Sequence, residues 1–128
     1  MTKNLEIYRC NRCGNIVEVV KGNGAPMVCC GEKMELLESK TADASIEKHV
    51  PFIEEIADGY KVRIGEKQNH PMMEKHYIQW VELIVGSRVY RKEFTHNDTP
   101  EVIFKVEKAD KVVAREYCNL HGLWERTL

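Results

Sequence analysis

Four histidines and one cysteine stand in three short motifs of this chain: Glu47-Lys48-His49-Val50-Pro51, His70-Pro71-Met72-Met73-Glu74-Lys75-His76 and Cys118-Asn119-Leu120-His121-Gly122. Imidazoles and a thiolate in this ratio form a donor set that points to a redox-active iron site rather than to a structural one. The other four cysteines, Cys10, Cys13, Cys29 and Cys30, form a second group near the N-terminus that reads as a tetrathiolate metal site. Every cysteine, and four of the five histidines, therefore lies in a motif with a chemical reading.

The N-terminal group runs Cys10-Asn11-Arg12-Cys13, fifteen intervening residues, then the adjacent pair Cys29-Cys30. A Cys-x-x-Cys turn lets two thiolates converge on one ion, because it aims backbone N–H groups at the sulfurs and leaves both side chains on one side. Four thiolates then suit zinc or a single iron. A zinc ribbon that only staples a mini-domain is the commoner outcome for four cysteines at such spacing. The adjacent pair shifts the balance, since zinc ribbons present two separated knuckles whereas neighbouring cysteines must splay and distort a tetrahedron. With Ile7-Tyr8-Arg9 before Cys10 and Gly31 after Cys30, the arrangement resembles desulforedoxin, whose site holds one iron for electron transfer.

The second group is read motif by motif. His70 and His76, six residues apart with Pro71 between them, do not share a helical face and must converge through a loop. Cys118 and His121 can reach one ion from a single turn at the end of a strand. His96, among the turn residues Thr95-His96-Asn97-Asp98, reads as an ordinary polar histidine. The combined set is soft enough for iron or copper yet too nitrogen-rich for an iron–sulfur cluster. A catalytic zinc would want three protein ligands and a water, a non-haem oxygenase two histidines and a carboxylate, and blue copper would leave two histidines unused. A five-coordinate iron with one vacant position employs all five.

These residues must be positioned by a short chain. Its 128 residues make one ordinary domain, or one with a small appendage, and a formal net charge of −1 supplies no basic stripe for nucleic acid. The N-terminus reaches Cys10 without the apolar run of a secretory signal, and no segment approaches the ~18 apolar residues that span a bilayer, so a cytoplasmic protein without membrane attachment is expected. An odd number of cysteines in a reducing compartment favours metal ligands or free thiols over disulfides. The polar stretch Ser39-Lys40-Thr41-Ala42-Asp43-Ala44-Ser45 is the expected linker, dividing the chain into domains 1–38 and 39–128. Fewer than ~40 residues rarely fold on core burial alone, so the first piece needs a metal, an oligomer or both.

Beyond the linker the pattern is repeatedly β. Strands are expected at Tyr60 to Ile64, Ile78 to Val85, Val89 to Phe94, Val102 to Glu107 and Val112 to Tyr117, separated by turns such as Asp58-Gly59 and Asn97-Asp98-Thr99-Pro100. No stretch shows a sustained helical period, and a small all-β sandwich follows. Ile78 to Val85 is apolar on both faces, which suits a central strand or one covered by a partner subunit.

Over essentially its whole length the chain resembles a desulfoferrodoxin, the two-iron class of superoxide reductase. The carrying residues are Cys10, Cys13, Cys29 and Cys30, the motifs around His49, His70 and His76, and the run Lys111-Val112-Val113-Ala114-Arg115-Glu116-Tyr117-Cys118-Asn119-Leu120-His121-Gly122. The resemblance implies an all-β fold: a metal-stapled, desulforedoxin-like domain, then an immunoglobulin-like β-sandwich or barrel, in a homodimer. It implies two irons per chain. One is rubredoxin-like on the four cysteines. The other is square-pyramidal, with His49, His70, His76 and His121 equatorial and Cys118 axial.

The implied activity is one-electron reduction of superoxide to hydrogen peroxide, with electrons from an external donor such as rubredoxin. Lys48 is implied to attract the anion and place a proton-supplying water, and Glu47 to occupy the sixth position of oxidised iron. A solvated lysine and a surface ion pair are the plainer readings of those two residues. An electron carrier without a substrate of its own is the alternative function, and zinc in both sites a weaker one. Glu74 and Lys75 read as a solvated face, and Trp80 and Trp124 as core or rim packing.

Overall fold

The computed structural model describes residues 2–42 and 49–128. Two compact units divide at Met1–Glu38 and Ser39–Leu128. All regular elements among the described residues are strands, and no helix is long and apolar enough to cross a membrane.

The first unit holds β1 (Ile7–Arg9), β2 (Ile16–Glu18), β3 (Val28–Cys29), β4 (Glu32–Lys33) and β5 (Glu35–Leu37). Strand β1 lies between β2 and β5 in an antiparallel sheet, while β3 and β4 form a separate ribbon. Strands of two or three residues bury little. The core is correspondingly small: Tyr8, Cys10, Val19 and Met34, with Val17, Met27 and Cys29 packed on it. Two candidate metal ligands thus belong to the core.

The second unit is a sandwich built from β6 (Pro51–Ile56), β7 (Gly59–Ile64), β8 (Ile78–Val85), β9 (Arg88–Glu93), β10 (Glu101–Lys105), β11 (Val112–Cys118) and β12 (Gly122–Thr127). One sheet has the order β10-β7-β6 and the other β12-β11-β8-β9, every pairing antiparallel. Alternation drives the packing. Along β7, Tyr60, Val62 and Ile64 are buried while Lys61 and Arg63 between them are only partly covered. They meet Ile78, Val81, Leu83, Val85, Val112 and Ala114 from the facing sheet, with Phe94 and Phe104 closing the core.

Strand β8 is interior to its sheet, between β11 and β9; its inner face is buried, while Trp80 and Ile84 on the outer face are only partly covered. On the face away from the core, Glu82 is only 1% exposed and accepts from Arg115 Nε and Nη2 at 3.0 and 2.7 Å. Trp80 stacks on Tyr117 on that same face, with ring centroids 5.8 Å apart.

Five of the seven sandwich strands are those expected from the sequence; β6 and β12 are not among them. Both are edge strands. Strand β6 opens on Pro51, tolerated as a first strand residue, and Glu54-Glu55 interrupts its alternation. The start of the expected linker is also tied down. Lys40 N–H donates to Leu123 O, and Glu125 N–H donates to Lys40 O, each at 2.9 Å, so Lys40 runs beside β12.

Candidate metal centres

Strand pairing brings the sandwich ligands to one end. Pro51 pairs with Ile64, so His49 before β6 and the loop after β7 leave the same edge of their sheet. Ile78 pairs with Cys118, so the loop entering β8 and the hairpin leaving β11 share an end of the other. The β7–β8 crossover delivers two histidines. Gly65 turns it with φ of +93°, where a Cβ would fall 1.9 Å from Gln68 O, and His70 N–H then donates to Ile64 O at 3.0 Å. Only glycine fits there. His76 closes a tight turn with Met73, each N–H donating to the other's carbonyl at 2.9 and 3.0 Å. On the last strand pair, Cys118 faces Gly122, whose φ of +88° lets the chain turn back and bring His121 over Cys118.

The four imidazoles form a ring. Centroid separations run 4.7 Å from His49 to His70, 4.8 Å from His70 to His76, 5.1 Å from His76 to His121 and 4.8 Å from His121 back to His49, each pair edge to face. Their nitrogens converge: His49 Nε2 lies 3.0 Å from His121 Nδ1, and Cys118 Sγ lies 3.7 Å from both His70 Nε2 and His121 Nδ1. His49, His70, His76 and Cys118 are buried, whereas His121 is exposed. His70 Nδ1 is 2.8 Å from Pro71 O, so this nitrogen carries the proton and Nε2 keeps its lone pair for the cluster.

One ligand atom from each of the five residues can be chosen so that all lie within 4.8 Å of one another. Donors about 2.0–2.3 Å from a common ion are at most ~4.6 Å apart, so the cluster has the size of a coordination sphere. A borderline-to-soft set of imidazoles and a thiolate suits a transition metal. The residues present fit one.

The four-cysteine group uses turns alone. Cys13 N–H donates to Cys10 Sγ and Asn15 N–H to Cys13 Sγ, both at 3.4 Å, which is the expected wrapping of a Cys-x-x-Cys turn around its sulfurs. Cys30 has φ of +54° and Gly31 of +73°, between paired residues Cys29 and Glu32. Two consecutive left-handed residues make a primed hairpin turn. That turn lets neighbouring cysteines face one point: Cys29 Sγ lies 3.6 Å from Cys13 Sγ and 3.9 Å from Cys30 Sγ. Four sulfurs this close do not all ionise by themselves. The backbone N–H groups of Cys13 and Arg12 draw the Cys10 thiol down to about 6, while hydrogen bonding with the Cys13, Cys10 and Cys29 sulfurs pushes Cys30 up to about 12. A cation among them would relieve the conflict, and four thiolates fit zinc or iron.

Glu47 and Lys48, the two expected catalytic residues, lie outside the described residues, as do Asp43, Ala44 and Ser45 of the expected linker. His96 stands apart from both groups, its ring 6.3 Å from that of Tyr77. Trp124 packs at the rim, stacked on His49 at 4.7 Å and 15°, with Nε1–H donating to His121 O at 3.1 Å. Lys40 Nζ donates to the same carbonyl at 2.9 Å. Neither Lys40 nor Gly65 is singled out by sequence reasoning; the positive-φ requirement of a turn after β7 is the signal that could have found Gly65.

Fold and sites together define an all-β protein with two donor groups that could each hold a metal, one of four histidines and a cysteine, the other of four cysteines. Residues 41–127 match the family model for desulfoferrodoxin, and residues 2–37 match the desulfoferrodoxin N-terminal domain. The desulfoferrodoxin of Nitratidesulfovibrio vulgaris is 54% identical over 125 residues, covering 98% of each chain. A superoxide reductase of Pyrococcus abyssi is 37% identical over 67% of this chain and 90% of its own. The crystal structure of the Treponema pallidum superoxide reductase superposes with a TM-score of 0.79 at 31% identity, covering 97% of this chain and 98% of that one. The chain belongs to the desulfoferrodoxin family, whose members here keep company with superoxide reductases and so with oxidoreductases.

Proposed function

We propose that this chain reduces superoxide to hydrogen peroxide, each superoxide taking up one electron and two protons. The observation that carries the reading is the convergence of His49, His70, His76, His121 and Cys118 ligand atoms within 4.8 Å, in a chain of this family. Iron on those five residues would supply the electron by cycling between its ferrous and ferric states. A second iron on Cys10, Cys13, Cys29 and Cys30 would relay electrons from an external donor of the rubredoxin kind.

The chain's own residues prepare that chemistry. Cys118 is 0% exposed at the end of a core strand, so its sulfur is held in place and shielded from solvent oxidants while its charge tunes the site's potential. Pro71 O fixes the His70 tautomer, and Trp124 holds the plane of His49. His121 opens the cluster to solvent, so a small anion has a short approach. Lys48, next to His49 in sequence, contributes positive charge for that approach and holds the water that hands on protons. Glu47 would offer a further oxygen donor to oxidised iron.

None of the five cysteines is in a disulfide, which suits a reducing cytoplasm where such a protein would remove superoxide. A homodimer is proposed from the family resemblance and from β8, whose outer face leaves Trp80 and Ile84 only partly covered in the single chain. The test is iron content combined with one substitution. Two irons per chain are expected, and Cys118→Ser should abolish rapid superoxide consumption while leaving the four-cysteine iron spectrum intact. A Cys118→Ser protein as fast as the parent would refute the role given to this cluster.

A further inference from the structure

Two of the loops carrying candidate ligands are joined through one side chain, Asn119. Its backbone N–H donates to Tyr77 O at 3.3 Å. Its side chain continues in both directions: Oδ1 accepts from Tyr77 N–H at 2.9 Å, and Nδ2–H donates to Lys75 O at 2.9 Å. Lys75 and Tyr77 flank His76, while Asn119 follows Cys118 and precedes His121 by two residues.

The location explains the need. The β8–β11 ladder runs regularly from Val112↔Val85 to Tyr117↔Trp80 and then shifts register before Cys118↔Ile78. Beyond a bulge, backbone groups lose their regular partners. There the Asn119 amide substitutes for a strand, offering one acceptor and one donor to the approaching loop. Asparagine carries the two on separate atoms, whereas a threonine hydroxyl carries both on one. Aspartate keeps the acceptor but sets a second oxygen against Lys75 O, and leucine keeps the shape and loses both bonds.

We propose that Asn119 is a positioning residue of the four-histidine, one-cysteine centre: it sets the spacing between the turn that carries His76 and the turn that carries Cys118 and His121. It touches neither metal nor substrate in this role. The proposal rests on the reading that this cluster holds iron. Groups that orient metal ligands at one remove typically contribute about 10–100-fold in metal affinity.

The test uses the full chain loaded anaerobically with ferrous iron, comparing the parent with N119D and N119L. The readouts are the rate of iron release to a chelator, the reduction potential of the centre, and the rise in thermal midpoint that iron confers. The four-cysteine iron spectrum serves as an internal control. Release about 10–100-fold faster in N119L is expected, with a smaller effect in N119D, a displaced potential in both, and a reduced iron-induced rise. A merely structural asparagine would lower the midpoints of iron-free and iron-loaded protein equally and leave release and potential at parent values; that result overturns the proposal. Should N119L not fold, N119D decides alone by the same criterion. A parent chain that binds iron only at its four cysteines overturns the reading of the cluster together with this assignment, whereas two bound irons with unmoved variants overturn the assignment only.

Discussion

In the N-terminal unit two candidate ligands, Cys10 and Cys29, are part of a core of seven residues, whereas the sandwich has a much larger core in which Cys118 is the one candidate ligand among the described residues. The difference follows from strand length. Strands of two or three residues build little apolar layer, so an ion on the four cysteines would add to the stability of this unit. Strands of five to eight residues in two facing sheets build more, and the ligand loops are then carried on a scaffold that does not depend on the metal. A metal on the four cysteines would contribute to folding; one on the sandwich cluster would be left available for chemistry.

Metal removal separates the two most sharply. A strong chelator should unfold the N-terminal unit, where structural metal binding supplies on the order of 10 kcal/mol, while leaving the sandwich folded. Amide exchange should then show protection lost in β1, β2 and β5 but kept in β7, β8 and β11; equal loss in both units would erase the distinction. Core truncation should act the other way. Leu83→Ala, at a site 0% exposed, should destabilise the sandwich by about 2–5 kcal/mol in denaturant unfolding without moving the four-cysteine iron spectrum.

A ligand loop should show a smaller and more local cost. Gly65→Ala places a Cβ against Gln68 O at a φ of +93°, so a loss of about 1–3 kcal/mol is expected, accompanied by weaker iron retention at the sandwich cluster. The smallest effect should come from Lys48→Ala, which removes charge without removing a ligand. Superoxide should react roughly tenfold more slowly and with a flatter dependence on ionic strength, measured by rapid mixing. An unchanged rate and salt dependence would remove the steering role.

Both candidate donor groups are legible in the amino-acid sequence, because metal ligation needs particular side chains and those are rare. All nine candidate ligands stand out by type and spacing, and the fold gathers them in the same two groups. Five sandwich strands are legible too, β7 and β10 by alternation and β8 as a run apolar on both faces. What escapes is geometry that leaves no periodic trace. Edge strands β6 and β12 lack strong alternation, with Pro51 and the Glu54-Glu55 pair obscuring the first. The Cys29-Cys30 pair suggests distortion, yet the left-handed Cys30 and Gly31 form a hairpin turn that brings both sulfurs to one side; a residue followed by glycine between short polar strands is the cue for it. Asn119 and Lys40 act on residues far along the chain, and nothing local marks such contacts.

The central claim is that the sandwich cluster, loaded with iron, reduces superoxide rather than disproportionating it. Its most direct test is the yield of hydrogen peroxide per superoxide consumed by the reduced, iron-loaded protein without dioxygen present at the start. One peroxide per superoxide, with one reducing equivalent consumed for each, is the expected result. Half that yield with dioxygen evolved, or no acceleration over the uncatalysed reaction, would contradict it.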